Sequence, residues 1–153
     1  MIDDYSIAIR LLNIRNDKIA NAMLAPHGLS HAQYKVLSLL FACPPFSQRQ
    51  VDIEDYFQIS NPTVTGILRS LEKKGLIERR TNPDDSRSKL IGTTPKADAM
   101  REDILAVGQA LSGLIDSVLT EEEKDRFFAY VNRILEYQQT LEEAAGSGDP
   151  GRT

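Results

Sequence analysis

The sequence predicts a mainly α-helical protein with a small β wing: a winged helix-turn-helix with long N- and C-terminal dimerisation helices. Three observations predict this fold. Two short amphipathic segments, at 47–57 and 62–74, follow each other with almost no linker. Two strand-like runs flank a turn-forming segment within 76–92, and longer helical periodicities occupy 3–25 and 95–143. A chain of 153 residues forms one well-buried core and is too short for two comfortable domains.

The first helical segment, residues 3 to about 25, has a wide apolar face. Its main stripe consists of Tyr5, Ile9, Leu12, Ile19 and Met23, widened by Ala8, Leu11 and Ile14. So wide a face implies more burial than one neighbouring helix provides. The Pro-His-Gly-Leu run at 26–29 ends this helix. Ser30 and Gln33 then form a capping box for a second helix, which continues to about Ala42.

The first helix of the predicted helix-turn-helix begins with a capping box formed by Ser47 and Gln50. The apolar positions that pack on the following helix are Val51, Ile53, Tyr56 and Phe57. The link to that helix is only residues 58–61. Because the link is so short, the two helices meet at a sharp angle, as the motif requires.

The second helix has marked ends and one apolar stripe. Asn61 is predicted to cap its first turn, and Pro62 suits the first helical position because its missing N–H has no partner there. Gly75 is predicted to end the helix, since glycine tolerates a positive φ. The buried stripe consists of Val64, Ile67, Leu68 and Leu71.

The opposite face of this helix changes character along its length. It carries Thr63, Thr65, Gly66, Arg69, Ser70 and Lys73. Short side chains near the N-terminus let a helix approach base edges in a major groove, and longer cations further along reach phosphates. The pattern therefore favours a DNA recognition helix. The alternative is an ordinary amphipathic helix with a solvated outer face.

After Gly75 the periodicity changes from helix to strand. Strand-like runs at 76–80 and 89–92 enclose the segment 81–88, which is rich in Pro, Asn and Asp. Arginines lie at the base of this hairpin, and Arg87 lies near its tip. A hairpin of this kind is typical of a wing laid along DNA, because guanidinium groups are favoured in narrow minor grooves.

The C-terminal part predicts two further helices. Thr94 and Pro95 begin the first, whose heptad-like seam is Met100, Ile104, Val107, Leu111, Leu114 and Val118. Thr120 and Glu123 form a capping box for the last helix. The face of that helix consists of Phe127, Val131, Ile134, Leu135 and Leu141. Residues 144–153 have too little apolar surface to order themselves and are expected to be a flexible tail.

These terminal helices carry more apolar surface than one subunit readily covers, which predicts a symmetric homodimer. The residues expected at its interface are Ile9, Leu12, Val107, Leu111, Leu114, Phe127, Val131 and Ile134. In domain terms, 1–29 and 95–143 form the dimerisation region and 30–94 the DNA-binding region of a single domain. Paired recognition helices predict a near-palindromic operator. The alternative is a helical hairpin that closes on itself within one subunit.

The charge is unevenly distributed. The whole chain has a formal net charge of −4, from 18 Lys and Arg against 22 Asp and Glu. Residues 61–96 hold eight of the cations and four of the acids, a local charge of +4, so the remaining residues carry −8. A positive surface on an acidic body is expected when one face meets phosphates and the rest keeps the protein soluble.

The sequence contains no motif of a nucleophilic, phosphate-binding or zinc-dependent enzyme, and no cofactor is expected. His27 and His31 are four residues apart but are predicted on opposite sides of a helix boundary, so a solvated turn is favoured over a metal site. Cys43 has no neighbouring cation, which favours an inert thiol. The single cysteine and the absence of a signal-peptide pattern predict a cytoplasmic protein.

Residues 47–97, and more loosely the whole chain, resemble the MarR family of bacterial transcriptional regulators. The resemblance rests on the run NPTVTGILRSLEKKGLIERR at 61–80, on the wing pattern Asp85-x-Arg87 with Lys89, and on the Thr-Thr-Pro-Lys-Ala run that follows. In that family the arginine of this wing pattern reaches into a minor groove and the aspartate helps to hold the wing. The resemblance implies these roles for Arg87 and Asp85.

The sequence departs from the family at two places on the recognition helix. Many members have a basic residue where this chain has Gly66, and an acidic-basic pair where it has Arg69-Ser70. The resemblance further implies a homodimer that most often acts as a repressor. It also implies a small, often aromatic or phenolic, effector bound between the dimerising helices and the DNA-binding region.

Together these observations favour a homodimeric regulator of transcription that binds double-stranded operator DNA. We expect Asn61, Thr63 and Thr65 at base edges. The residues expected at phosphates are Arg69, Ser70, Lys73 and Arg80. Pro62, Gly66 and Lys89 complete the predicted interface. Two alternatives stay open: a winged-helix module that binds a protein partner instead of DNA, and a regulator that responds to a metal or an oxidant.

Overall fold

The structure is a computed structural model that describes residues 2–146. The helices are α1 (Tyr5–Leu24), α2 (His31–Ala42), α3 (Gln50–Phe57), α4 (Asn61–Lys73), α5 (Pro95–Ala99), α6 (Arg101–Asp116) and α7 (Glu121–Gly146). The strands β1 (Ile77–Asn82) and β2 (Asp85–Thr93) form one antiparallel sheet. This order of elements confirms the predicted mainly helical fold with a small β wing.

The chain divides into two compact units, residues 1–111 and residues 112–153. The first unit contains the hydrophobic core, whose largest fully buried side chains include Leu24, Leu37, Ile53, Leu68, Leu71, Ile91 and Ile104. We call residues 31–93, which comprise α2 to β2, the reader module. In the second unit, the described part of α7 has no buried residue.

The start of α2 connects it to α1. The predicted capping box is present: Ser30 Oγ accepts a hydrogen bond from the Gln33 N–H, and Gln33 Oε1 accepts one from the Ser30 N–H. Asn21 Oδ1 accepts the His31 N–H at 2.8 Å, and the His31 ring nitrogen Nδ1 lies 2.5 Å from Asp17 Oδ1. These side chains satisfy N–H groups that have no partner within the helix.

The start of α3 differs from the prediction. The helix begins at Gln50, and Asp52 caps its start: Asp52 Oδ2 accepts the Arg49 N–H at 2.8 Å. Ser47 instead donates its hydroxyl to the Pro44 carbonyl. The Ser47–Gln50 box is therefore wrong, because the backbone at residue 48 is extended and pairs with Ile91 of β2.

The first turn of α4 also differs by one residue. Ser60 is the extended residue that precedes the helix, so Asn61 lies inside the first turn and is not the cap. Its amide Nδ2 donates to Glu54 Oε1 of α3 at 2.7 Å. The other end is as predicted: Gly75 has φ +70, and the Leu76 N–H bonds to the Leu71 carbonyl. This arrangement satisfies a carbonyl that the helix leaves unpaired.

The hairpin is longer than predicted. β1 and β2 extend through most of 81–88, which leaves only Pro83 and Asp84 between the strands. The register changes from Thr81 opposite Lys89 to Asn82 opposite Asp85, so three residues of β2 bulge out, with Arg87 at their centre. A bulge of this kind re-aims a side chain at the edge of a sheet.

The predicted long helix after the wing is broken at Met100, which separates α5 from α6. Val107, an expected interface residue, is only 8% exposed and belongs to the core of its own subunit, so it is not available to a partner. Met100 and Leu111 also pack against this core, whereas Leu114 and Val118 are exposed. The first half of the predicted seam therefore serves the subunit itself.

The last helix begins with the predicted box, in which Glu123 Oε2 accepts the Thr120 N–H at 2.8 Å and Thr120 Oγ1 accepts the Glu123 N–H. It continues to Gly146, past the expected start of the tail at 144. The remainder of that tail, 147–153, lies outside the described residues. Within the described residues no single helix is long and apolar enough to cross a membrane. The bent pair of α6 and α7 has the length and apolar composition of a membrane span only when the two helices are counted together.

Candidate nucleic-acid interface

The outer face of α4 is open to solvent. Asn61, Pro62, Thr63, Gly66, Arg69 and Lys73 are all exposed. No described residue forms a hydrogen bond or an ion pair with the side chain of Arg69 or Lys73. Both cations are therefore available to an anionic partner. Gly66 adds no side chain at the centre of the face, and no atom from another part of the chain lies within 4 Å of where its Cβ would be.

A polar network on one flank of α4 holds it against α3. Gln50 Nε2 donates to Thr65 Oγ1 at 2.8 Å and to Glu54 Oε1 at 3.0 Å. Glu54 also accepts from Asn61. Thr65, predicted to approach base edges, is half-buried and its hydroxyl already accepts this bond. Exposed Thr63 is thus more open to DNA than Thr65.

The network continues to the base of the hairpin through Arg79. Its Nε donates to Glu72 Oε1 at 2.9 Å, and its Nη1 lies 3.4 Å from Gln50 Oε1. Arg79 is half-buried, and its hydrogen bonds connect β1 to α4 and α3. Satisfied networks of this kind fix one arrangement of the elements they connect. The role of Gln50 and Arg79 in this network was not predicted, because each acts through partners distant in sequence.

Ser70, which was predicted at a phosphate, has a partner within the chain. Its hydroxyl accepts a hydrogen bond from Gln33 Nε2 of α2 at 2.8 Å. Gln33 is buried, and its Oε1 accepts from Lys74 Nζ at 2.7 Å. Lys74 also donates to the Gly28 carbonyl at 2.6 Å. Ser70 lies at the edge of the apolar stripe of α4 that faces α2, so this correction follows from its helical position.

The hairpin presents Arg87 on the three-residue bulge. Arg87 is exposed, and no side-chain hydrogen bond or ion pair to it is present among residues 2–146. Its backbone N–H donates to Asp85 Oδ1 at 3.0 Å. Asn82 steadies the same turn, because its Nδ2 donates to Ser88 Oγ and its Oδ1 accepts the Asp84 N–H, both at 3.0 Å.

Two further predicted cations of the hairpin are exposed but have protein partners. Lys89 Nζ donates to Thr81 Oγ1 at 2.9 Å. Arg80 pairs with Glu78 and lies over the ring of Phe46. Phe46 was not predicted, since nothing near it in the sequence indicates that its ring meets β1.

Arg49 is another exposed cation near the hairpin that sequence reasoning missed. Its side chain donates to Asp52 through Nε at 3.0 Å and Nη2 at 2.7 Å. These hydrogen bonds hold the pKa of the Asp52 carboxyl below its ordinary value, against a smaller opposing effect of burial. They also raise the pKa of Arg49.

The residues weighed as a sensor have other surroundings. His31 is buried and bonded to α1 as described, and the free thiol of Cys43 is half-buried at the end of α2. Among residues 2–146 there is no group of three or more His, Cys, Asp or Glu side chains placed to hold a metal ion.

Comparison with known proteins gives a consistent family. A model of the MarR family matches residues 29–89. The Bacillus subtilis HTH-type transcriptional regulator YwoH is 37% identical over 87 residues, which are 57% of this chain and 61% of YwoH. The HTH-type transcriptional repressor YetL of Bacillus subtilis is 27% identical over 112 residues, 73% of this chain and 67% of YetL.

Solved structures show the same similarity over most of the chain. The S. aureus MepR–DNA complex superposes with a TM-score of 0.83 at 28% identity, covering 89% of this chain and 99% of that one. The chain thus spans about 61% of the length of YwoH but nearly all of the MepR chain. These similar proteins are transcriptional regulators rather than enzymes.

Proposed function

We propose that this chain, which is similar to MarR-family regulators, is a cytoplasmic regulator of transcription that binds operator DNA through α4 and the hairpin. One observation carries the proposal: Arg69, Lys73 and Arg87 are exposed and unpaired within the described chain, although acids outnumber bases in the whole sequence. An acidic protein that leaves these cations without internal partners has a positive surface for an anion. The S. aureus relative with this fold was solved bound to DNA.

The roles of the individual residues follow from their exposure. Thr63 and the backbone near Asn61 approach base edges, with Pro62 and Gly66 allowing close approach. Arg69, Lys73, Arg80 and Lys89 bind phosphates. Arg87 enters a minor groove while Asp85 holds the bulge that presents it. In this arrangement Ser70 is not a phosphate contact, because its Oγ is turned toward Gln33 of α2.

The functional form is a homodimer joined by the exposed apolar faces of α1 and α7. On α1, Ile9 is 57% and Leu12 61% exposed; on α7, Phe127 is 41% and Ile134 49% exposed. Leu114 of α6 is exposed as well, and Val131 of α7 is half-buried. Monomeric soluble proteins rarely leave contiguous apolar faces uncovered. Two copies related by a twofold axis place two α4 helices on a near-palindromic site.

The regulator acts as a repressor that a small effector releases. The relative YetL is named a repressor, which supports this sign of regulation. A cavity of about 180 Å³ in the reader module, lined by Val36, Phe57, Ile59, Ile67 and others, reaches Thr63 at the start of α4. A small phenol that binds more tightly to a state unable to bind DNA lowers the DNA affinity. The largest possible effect is set by the difference in the phenol's affinity for the two states.

The salt dependence of duplex binding tests the DNA proposal. If a dimer makes about 6–10 phosphate contacts, log affinity falls with log salt at a slope of about −5 to −9. Fluorescence anisotropy with a labelled random duplex and with genomic fragments selected by the protein measures this slope. A protein-binding winged helix gives little duplex binding even at low salt, and that result would overturn the proposal.

A further inference from the structure

Arg80 is supported by an aromatic residue from outside the hairpin. Its guanidinium carbon lies 3.6 Å from the centroid of the Phe46 ring, and Glu78 Oε1 accepts from its Nε at 3.1 Å and its Nη2 at 2.5 Å. We propose that Phe46 is a positioning residue for DNA binding: it holds the Arg80 guanidinium so that its free edge binds a DNA phosphate. This inference rests on the proposed function and deepens it.

The geometry leaves a usable edge on Arg80. A guanidinium has five N–H donors in one plane. Glu78 takes the Nε–H and one Nη2–H, and the Phe46 ring covers one face of that plane. The outer Nη1–Nη2 edge keeps two donors, one from each nitrogen, and the side chain is 62% exposed. This fork matches two oxygens of a phosphate. Because the guanidinium is already held, little side-chain freedom is lost on binding.

Two locally unfavourable residues make this arrangement possible. Phe46 has φ +53, a left-handed conformation that is rare for a bulky side chain. Gly92 lies in β2, where glycine weakens a strand, yet a Cβ there would come within 2.6 Å of the Phe46 ring. Gly92 is directly opposite Glu78 in the hairpin. The missing side chain at 92 therefore makes room for the ring beside the Glu78–Arg80 pair.

The test measures duplex affinity for Phe46→Leu and Phe46→Tyr. Loss of an exposed cation–π contact weakens binding about two- to five-fold per subunit, or about 4- to 25-fold for a symmetric dimer. A phosphate contact carries no sequence information, so specific and random duplexes lose affinity by the same factor. Phe46→Tyr keeps the aromatic ring and is expected to retain wild-type affinity. Gly92→Ala, which displaces the ring without altering it, weakens binding as Phe46→Leu does.

A double-mutant cycle with Arg80→Gln separates positioning from simple packing. If Phe46 acts through Arg80, Phe46→Leu has no further effect in the Arg80→Gln protein. Equal losses in both backgrounds would overturn the positioning role while leaving DNA binding itself established. Failure of the wild-type protein to bind any duplex would overturn the proposed function instead. Urea unfolding measures the stability of each variant. If Phe46→Leu does not fold, Gly92→Ala takes its place in the cycle.

Discussion

The helices of the reader module and the terminal helices α1 and α7 are amphipathic, but their apolar side chains differ in exposure. On α4, Val64, Leu68 and Leu71 are fully buried within the subunit. On α7, Phe127 and Ile134 are both more than 40% exposed. Apolar periodicity therefore predicts that one face of a helix is buried, but not whether the same chain or a second chain buries it. The apolar stripe of α4 is buried within its own chain, whereas α1 and α7 leave large apolar side chains exposed, which the proposed dimer covers.

The polar contacts of the two regions differ in the same way. In the reader module they join distant elements, as in the bonds of Gln33 to Ser70 and of Arg79 to Glu72. Along α7 they are mostly local, as in the pairs Arg126–Glu122 and Gln139–Glu143. Local pairs stabilise a helix but do not fix its place in a fold. The following predictions test this contrast between a self-contained module and helices that need a partner.

The largest effect is expected from a charge on the apolar face of α1. Leu12→Glu places a carboxylate that is solvated in a monomer but buried without a partner in the proposed dimer. We expect the mass in sedimentation to halve at micromolar protein, and operator affinity to fall by about 10²- to 10⁴-fold as bivalent binding is lost. Asn13→Glu, with the same charge at a polar neighbour, is the control. Unchanged mass for Leu12→Glu would show that this face is not the interface.

A smaller effect is expected at the hairpin. Arg87→Ala removes an exposed side chain without a partner in the described chain, so it weakens operator binding by about 1–3 kcal/mol while the urea midpoint stays unchanged. Arg126→Ala in α7 is the matched control and changes operator affinity by less than about 0.5 kcal/mol. Anisotropy titrations at one salt concentration measure both. Equal affinity of Arg87→Ala and the wild type would remove the wing from the mechanism.

Ser70 separates stability from DNA binding within α4 itself. Ser70→Ala leaves the buried Gln33 amide without an acceptor, which destabilises the fold by about 1–3 kcal/mol. Because this hydroxyl is turned toward α2, operator affinity of the folded protein stays at the wild-type value. Arg69→Ala does the reverse, with a wild-type urea midpoint and weaker DNA binding. A loss of affinity for Ser70→Ala without loss of stability would restore the phosphate contact that the sequence predicted.

Sequence reasoning succeeds where an interaction is local. The boxes Ser30–Gln33 and Thr120–Glu123 and the end of α4 at Gly75 were all predicted, because each depends on residues within a few positions of one another. The box at α3 was placed wrongly because a distant contact decides between two local candidates. Both Ser47 and Asp52 can cap a helix, and the pairing of residue 48 with Ile91 decides between them.

The misses concern contacts between distant segments. Ser70 was assigned to the outer face because a helical stripe has no sharp edge in sequence, and only the placement of α2 shows that it faces Gln33. Val107 continued an apparent seam but meets the core of its own subunit. The contact of the Phe46 ring with the hairpin was not predicted, since its partners Arg80 and Gly92 lie on the two strands, far from it in sequence. Sequence periodicity describes a helix; the packing of helices decides what each face does.

The smallest effect concerns the acid response of the cap on α3. The pKa of Asp52 lies below its ordinary 3.8 because Arg49 donates hydrogen bonds to it. A depressed pKa in the folded state stabilises the fold above the unfolded pKa, and this stability is lost as pH falls through the lower folded value. Asp52→Asn should therefore lose less stability than the wild type between pH 5 and about pH 3 in urea titrations. Asp55→Asn, in the same helix but without a side-chain partner in the described chain, should keep the wild-type response. An unaltered acid response in Asp52→Asn would mean that the reader module does not draw stability from this cap.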